Sequence, residues 1–400
     1  MIARVVAPFA YHPRVRTLLL AIASLLIVPT AHAYDARHVF VANRGGSTIV
    51  ELDESLAIVR VWFADEGLSA PNGMAFTPGG ELWVADTSNN RILAFDSAGT
   101  RTRTLDTSVR LGTAVESIYF AGDGTLFATA NPGVGRVARY SITGAELADV
   151  VLDDAFRNLG NVNLTAAGDV IVSDFSNLGR GLRELDPDTG AILRTFGTDL
   201  MLQEDVMIDG ADRVFVSHYA ADEIVVFGAD RAELFRFTTP ETEAAALAGP
   251  TGIVLTWDCR ILVAGFRSDR LYEWRHRGAE PPEYVGSVAI DGVTRPESLA
   301  IAGLALPGGF TEFADTVPSC DEPVGVDAGV RDDAGVRDAG AVDAGASDRD
   351  AGSPDAGRRA PPAEDGCSCR AVGTGRRAGG GLTLALALMA LMARRTRRAR

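Results

Sequence analysis

The sequence predicts an all-β fold, a six-bladed β-propeller of four-stranded antiparallel blades that is closed by pairing of its N- and C-terminal strands. Three observations predict it. A unit of about 44 residues recurs from Tyr34 to about Leu306. Each unit contains apolar runs separated by turn residues, which is typical of short antiparallel strands. The first and last copies are partial, and each supplies what the other lacks.

The most regular signal is an apolar run that ends in a small or polar residue, such as Leu82–Asp86. The steps between the ends of six such runs are 43, 44, 44, 44 and 47 residues. Their last residues are Asn43, Asp86, Ala130, Asp174, His218 and Gly265. This spacing predicts one equivalent strand in each unit.

A second apolar segment precedes each run by roughly ten residues, and turn formers such as Pro78-Gly79-Gly80 separate the two. A third short strand follows each run, for example residues 91–96. Each unit is therefore a small sheet of about four strands, which cannot bury both faces alone. Radial stacking of such sheets into a ring protects their edges.

The two ends of the repeat predict how the ring closes. The last copy, residues 295 to about 306, supplies only an opening strand, whereas residues 34–69 supply only the strands that follow one. Five complete units and one shared unit make six blades.

The opening of one unit carries a family resemblance. Residues 71–76, the run at 82–86 and Asn90-Arg91-Ile92 together resemble the repeats of NHL propellers, and the resemblance extends more loosely from Tyr34 to Leu306. No Gly-His to Trp-Asp pairing recurs, which disfavours the WD-repeat class. The resemblance implies a ring that binds partners or small ligands.

The N-terminal residues 1–33 predict a secretory signal peptide. Three arginines precede an apolar stretch at 18–28, and Ala31-His32-Ala33 forms an A-x-A cleavage site before Tyr34. An uncleaved membrane anchor is the alternative, but the apolar stretch is short for one. Export is therefore expected, with the propeller domain at residues 34–320.

Residues 321–365 predict a disordered tether. Asp-Ala-Gly recurs six times between 327 and 357, and the segment lacks large apolar residues that could offset its ordering entropy. Treated as a flexible coil, it would span on the order of 40 Å. That length is enough to hold a propeller away from a surface.

Residues 366–400 contain a Cys motif with Cys367 and Cys369, an apolar stretch at 379–393 predicted as a short helix, and a terminal Arg cluster. This arrangement resembles the MYXO-CTERM sorting tail of myxobacterial exported proteins. The resemblance implies processing by a sorting protease at the membrane, modification at the two cysteines, and delivery to the cell surface or outer membrane. A plain membrane tail anchor is the alternative.

Composition excludes several classes of function. All 38 basic residues are arginines, so a lysine Schiff base is impossible. Residues 34–366 hold all 53 acidic residues and 27 arginines, a net charge of −26, which argues against nucleic acid as a partner. The sequence also lacks the G-x-S-x-G, H-E-x-x-H and phosphate-loop motifs.

Cys259 and Cys320 flank the end of the repeat region. In an oxidising compartment they could form a disulfide that locks the C-terminal end of the ring, or they could remain free. Their spacing does not suggest zinc. His38 and His276 are expected on strand or loop surfaces.

The most informative candidate site is the polar residue that opens the innermost strand of each blade. In a ring these residues would lie at equivalent heights around the central channel, and converging oxygen ligands suit calcium. They are Asn72, Glu116, Asn161, Asp205, Thr251 and Glu297. The alternative is that the position is polar because the channel mouth is wet. The converging oxygens predict a Ca²⁺ site formed by Asn72, Glu116, Asn161, Asp205 and Glu297. Pro71-Asn72-Gly73 is similar to a metal-site motif of gluconolactonase-type propellers, a resemblance that implies a catalytic divalent ion in this region.

Two functions follow. The first is an exported, surface-displayed module, without enzymatic activity, that binds a protein, a glycan or a small molecule. The second is a calcium-dependent hydrolase of the lactonase or esterase type, in which Glu116, Asp205 or Glu297 acts as base.

Overall fold

The computed structural model describes residues 34–133, 135–152, 156, 158–311 and 315–321, which all belong to one compact unit. The predicted signal peptide, the tether after residue 321 and the tail at 366–400 lie outside these residues. Within the described part, the chain forms six four-stranded antiparallel sheets arranged as a β-propeller. This confirms the predicted all-β class, blade number and strand number.

Five blades are continuous in sequence and follow one another along the chain. Blade 1 contains β4 (Pro71–Phe76), β5 (Leu82–Asp86), β6 (Arg91–Phe95) and β7 (Arg101–Asp106). Blade 2 contains β8 (Val115–Phe120), β9 (Thr125–Ala130), β10 (Arg136–Ser141) and β11 (Val150–Val151). Blade 3 contains β12 (Leu159–Leu164), β13 (Val170–Asp174), β14 (Leu182–Leu185) and β15 (Ile192–Phe196).

The remaining continuous blades have the same order. Blade 4 contains β16 (Gln203–Ile208), β17 (Val214–His218), β18 (Glu223–Phe227) and β19 (Glu233–Phe237). Blade 5 contains β20 (Pro250–Leu255), β21 (Arg260–Gly265), β22 (Arg270–Arg277) and β23 (Glu280–Val288). A 3₁₀ turn at Thr87–Asn89 and a short helix, α1 (Ser108–Leu111), complete the elements of blades 1 and 2.

Blade 6 combines strands from both ends of the domain. Its order is β24 (Pro296–Ile301), β1 (Val39–Asn43), β2 (Thr48–Leu52) and β3 (Ile58–Trp62). In the β24–β1 ladder, Val39 pairs with Ile301 and Val41 with Leu299. The opening strands contact each other in the order β4, β8, β12, β16, β20, β24 and back to β4, and so surround the central channel.

The hydrophobic core lies between adjacent sheets. Between blades 6 and 1, for example, Phe40, Trp62 and Phe76 pack with Leu82 and Phe95, and all are buried. Stacking thus buries the apolar faces that a single four-stranded sheet would leave in water. Among the described residues, no helix is long and apolar enough to cross a membrane.

Each opening strand carries a β-bulge near its start. In β4, Pro71 pairs with Asp86 and Met74 with Val84, so two residues, 72 and 73, stand where a regular ladder has one. The same register shift occurs in β8, β12, β16, β20 and β24. A bulge re-aims side chains, here toward one end of the channel.

The segment after β24, residues 304–311 and 315–321, crosses the opposite end of the channel; we call it the closing strap. Its two short strands, β25 (Leu304–Ala305) and β26 (Asp315–Thr316), pair in parallel. The Gly122 amide donates to the Gly308 carbonyl at 2.9 Å, and the Gly210 amide donates to Pro318 at 3.0 Å. Since Gly122 and Gly210 lie in turns between the first and second strands of their blades, the strap covers the end remote from the bulges.

Candidate functional site

The six bulges build two layers of residues at the mouth of the channel. The ladder registers align the first bulge residue of each blade in an outer layer and the second in an inner layer. The outer layer is Asn72, Glu116, Gly160, Glu204, Thr251 and Glu297. The inner layer is Gly73, Ser117, Asn161, Asp205, Gly252 and Ser298.

The prediction that all six polar residues occupy equivalent positions is wrong in blades 3 and 4. Asn161 and Asp205 belong to the inner layer, and the residues equivalent to Glu116 are Gly160 and Glu204. Gly160 leaves the outer layer without a side chain because a Cβ atom there would lie 2.6 Å from the Gln203 carbonyl oxygen. The pattern of single polar residues did not show that the strands are bulged.

Arg44 lies among the outer-layer carboxylates. Its Nη1 atom is 3.3 Å from Oε2 of Glu297 and 4.0 Å from Oε2 of Glu116. The Asn72 side-chain amide donates to Glu116 Oε2. Glu116 and Glu297 are 5% and 3% exposed, so this ion pair is largely withdrawn from water.

The inner layer is held by hydrogen bonds between blades. The Asn161 amide donates to Ser117 Oγ at 3.0 Å and to Asp205 Oδ1. Asp205 also accepts the backbone amides of Val206 at 2.8 Å and Ile253 at 2.9 Å. These contacts fix the Asp205 carboxylate across three blades.

Thr251, although it lies in the outer layer, does not complete the polar cluster. Its hydroxyl bonds to the Pro296 carbonyl at 2.9 Å and lies 3.2 Å from the Ala264 carbonyl. The side chain therefore joins blade 5 to blade 6.

Burial makes these carboxyl groups hard to ionise. Desolvation, reinforced by Glu297, raises the pKa of Glu116 to about 8, against the lowering effects of Arg44 and Asn72. Desolvation raises the pKa of Asp205 to about 7 despite its hydrogen bonds. The pKa of Glu204 lies well above its usual value because of desolvation and then the charges of Glu297 and Glu116. Several carboxylates share too little positive charge.

Several oxygens at the mouth are buried and make no hydrogen bond to the described residues: Oε2 of Glu204, Oε2 of Glu297 and Oδ1 of Asn161. Arg44 approaches Glu297 Oε2 within ion-pair distance only. Buried oxygens without a hydrogen bond are uncommon in native structures, and each of these three has capacity to accept one more.

Aromatic rings from three consecutive blades form a rim at the same mouth. Phe175, Tyr219 and Phe266 each directly follow the second strand of their blade. Ring centroids are 5.8 Å apart for Phe175 and Tyr219, and 6.3 Å apart for Tyr219 and Phe266. The Arg44 guanidinium lies 5.9 Å from the Phe266 centroid. Sequence reasoning missed Arg44 and this aromatic rim, although both are one residue beyond the periodic run ends.

Beneath the polar layers the channel becomes apolar. The cavity has a volume of about 100 Å³, measured as the space open to the centre of a water molecule. Its lining includes Met74, Ile118, Val162, Met207 and Ile253 from the opening strands. Leu306, Phe310 and Val317 of the closing strap line its far end. A polar mouth thus adjoins an apolar cavity that is covered opposite the mouth.

No group of three or more His, Cys, Asp or Glu residues within the described ranges is arranged to hold a metal ion. Glu116 and Glu297 face Arg44, while Asp205 lies in the adjacent layer and already accepts three hydrogen bonds. Calcium binding by the predicted residues stays a prediction.

The strap is anchored covalently and by charge. Cys259 and Cys320 are joined by a disulfide, with an S–S distance of 2.13 Å. Arg213 donates to Asp209, Asp321 and the Ser319 carbonyl. His276, which was expected at the surface, is buried and its Nε2 lies 3.1 Å from Asp209 Oδ2. The strap's anchor explains this burial. Cys367 and Cys369 lie outside the described residues.

With the blades and the mouth established, comparison with known proteins identifies the repeat. Residues 68–95 match the NHL repeat. This match falls on blade 1, the unit whose sequence resembles NHL repeats most closely, and confirms that part of the prediction. No curated protein matches the chain.

Solved structures share the architecture of these NHL-like blades. A streptogramin B lyase superposes with a TM-score of 0.51 at 12% identity, covering 68% of this chain and 88% of that one. A protein of unknown function from Bacteroides caccae superposes with a TM-score of 0.52 at 13% identity, covering 66% of this chain and 98% of that one. A nidogen/laminin complex superposes with a TM-score of 0.53 at 15% identity, covering 66% of this chain and 98% of that one. At such identities the likeness extends to the fold alone.

Proposed function

We propose that this protein is an exported, surface-displayed β-propeller that binds a ligand or partner through the bulged mouth of its central channel. The observation that carries the proposal is that a polar mouth adjoins an apolar cavity, which the strap covers at its far end. Ligand sites are commonly concave, mostly apolar and furnished with a few convergent polar groups. The nidogen/laminin neighbour is a protein complex, and a binding role on this fold is consistent with it.

The display part of the proposal rests on sequence. A secretory signal at 1–33 would export the chain, and a tether at 321–365 would separate the ring from a surface. The tail at 366–400, with its MYXO-CTERM-like motif, would direct the chain to a sorting protease. Modification at Cys367 or Cys369 would retain it at the cell surface or outer membrane.

The alternative is a calcium-dependent lactonase or esterase. The crowded carboxyl groups favour it, because a divalent cation would relieve their repulsion. A bound ion would supply Lewis-acid polarisation of an ester carbonyl. Glu116, Asp205 or Glu297 would hold the ion or accept a proton.

A dye-binding experiment on the full chain tests the binding site. Nile red, a neutral apolar dye, should gain fluorescence in the cavity. Ser298 lines both the mouth and the cavity, so S298F should weaken dye binding by about tenfold or more. S108W, at the exposed Ser108 on α1, is the control and should bind as the parent does. Circular dichroism checks that both variants are folded.

Equal dye binding by S298F and S108W would contradict a channel site. The same samples are assayed for bound metal and for ester hydrolysis with calcium or with EDTA. Stoichiometric calcium together with hydrolysis that EDTA abolishes would favour the alternative function.

A further inference from the structure

Deepening the proposed function, on which this inference rests, we propose that the channel mouth binds a primary ammonium group carried on an apolar stem. The ammonium lies between the outer-layer carboxyl groups and the aromatic rim. The stem extends past the inner layer into the apolar cavity. The ligand class is thus an amphiphilic primary amine.

The charge of the mouth favours a cation. Glu116, Glu204 and Glu297 share the outer layer with the guanidinium of Arg44, while Arg267 and Arg295 lie at the aromatic rim outside it. Asp205 adds a fourth carboxyl group one layer deeper. Buried carboxylates are stabilised by nearby positive charge and destabilised by each other, so a second cation is accommodated more easily than a neutral group or an anion.

The carboxyl oxygens specify the kind of cation. Oε2 of Glu297, which is 3% exposed, forms the ion pair with Arg44 at 3.3 Å but no hydrogen bond to the described residues, and Oε2 of Glu204 makes no hydrogen bond to them either. A primary ammonium has three N–H donors and can satisfy both atoms. A quaternary ammonium carries the same charge but has no N–H group to donate.

The aromatic rim supplies a second attraction for positive charge. The ring of Phe266 already lies near two guanidinium groups, at 5.9 Å for Arg44 and 5.8 Å for Arg295. Tyr219 continues the rim, with its ring centroid 6.3 Å from that of Phe266 and 5.8 Å from that of Phe175. Cations within about 6 Å of a ring centroid are attracted by its quadrupole.

The cavity accounts for the stem. The mouth and the apolar cavity share Gly73, Ser117, Asn161, Asp205 and Ser298 as lining residues, so the two spaces adjoin. A ligand whose charge is held at the mouth can therefore bury an alkyl chain against Met74, Ile118 and Met207.

Four probes with the same alkyl chain test the proposal on the full chain by calorimetry: octylamine, octyltrimethylammonium, octanol and octanoate. Octylamine should bind at least about tenfold more tightly than octanol, since hydrogen bonds to charged groups exceed neutral ones. Octyltrimethylammonium should lie between them, and octanoate should bind most weakly.

Variants assign the selectivity to the mouth. E297Q keeps the size of the side chain and removes its charge, and it should lower the octylamine-to-octanol ratio about tenfold. E280Q, on the exposed outer strand β23, is the control and should leave the ratio unchanged. A merely structural role for Glu297 would alter the binding of both probes alike and leave their ratio as it is.

The outcomes separate the two proposals. If octanol and octanoate bind as tightly as octylamine and S298F weakens them all, the amine proposal is overturned and the channel site stands. If none of the four probes and no Nile red binds, both fall.

Discussion

At the scale of single residues, the mouth is organised by Arg44. This side chain follows β1 and reaches Glu297 of the opening strand in its own blade and Glu116 of blade 2. It lowers the pKa of both carboxyl groups, yet desolvation outweighs it at each. One guanidinium therefore leaves the mouth short of positive charge, and protons make up part of the difference.

Glu116 should make stability depend on pH. Its pKa is about 8 in the folded protein and about 4.5 in the unfolded chain. Between these values the folded state holds the proton and the unfolded chain releases it, so stability falls as the pH rises. Urea unfolding of E116Q should therefore show a flatter profile from pH 5 to pH 8. At pH 8 the variant should exceed the parent in stability by roughly 4 kcal/mol, because the folded and unfolded pKa values of about 8 and 4.5 differ by about 3.5 and each pKa unit is worth about 1.4 kcal/mol.

The exposed variant E280Q serves as the comparison and should follow the parent at every pH. A parent protein whose stability is the same at pH 5 and pH 8, or rises between them, would contradict the raised pKa of Glu116.

Sequence periodicity located part of this site and not the rest. It found Asn72, Glu116 and Glu297 because an equivalent position in each blade recurs at a nearly constant step. It placed Asn161 and Asp205 at the position of Glu116, although both lie in the inner layer. A β-bulge gives two consecutive residues access to the channel, and the spacing between repeats does not show which of the two is equivalent to Glu116. Arg44 and the aromatic rim sit in turns, where side-chain type varies from blade to blade and no apolar pattern marks them.

At the scale of elements, the strands were predictable and the closing strap was not. Alternating apolar runs and Gly- or Asp-containing turns predict antiparallel strands from local sequence. The strap has little regular structure, and its position depends on contacts with Gly122, Gly210 and Arg213 in distant blades. Long-range contacts of this kind leave no local pattern.

The Cys259–Cys320 disulfide should contribute to stability through the strap. The cross-link spans 61 residues, and restricting a loop of this length in the unfolded chain is worth about 2–4 kcal/mol. Denaturant unfolding of C320S should show a loss of that size. The double variant C259S/C320S should lose the same amount, because either change removes the cross-link.

Reductant provides the matched control for this prediction. It should lower the stability of the parent protein toward that of C320S and leave the double variant unaffected. The prediction would be contradicted if the parent protein were equally stable with and without reductant, although its cysteines reacted with thiol reagents only after reduction. That result would show that the disulfide forms but does not hold the strap.

At the scale of the whole molecule, the two halves of blade 6 bring the first and last strands of the ring together. Strand β1 begins five residues after Tyr34, and β24 leads directly into the strap, whose last described residues are Cys320 and Asp321. The strap lies at the end of the channel remote from the bulges, so the mouth and the end of the described chain are on opposite sides of the ring.

Surface display is testable in cells that produce the protein natively. We expect the mature chain to begin at Tyr34 and to lack the residues that follow the Cys motif, which intact-mass analysis would reveal. Protease added to intact cells should remove the propeller, because the proposed display places it outside the cell.

C367S/C369S should abolish processing or retention, since both cysteines belong to the predicted sorting motif. S368A, between them, should behave as the parent does, which separates a requirement for the thiols from a general effect of altering the motif. Normal processing and retention of C367S/C369S would refute a role for the cysteines, and a chain that still carries residues 1–33 inside the cell would refute export.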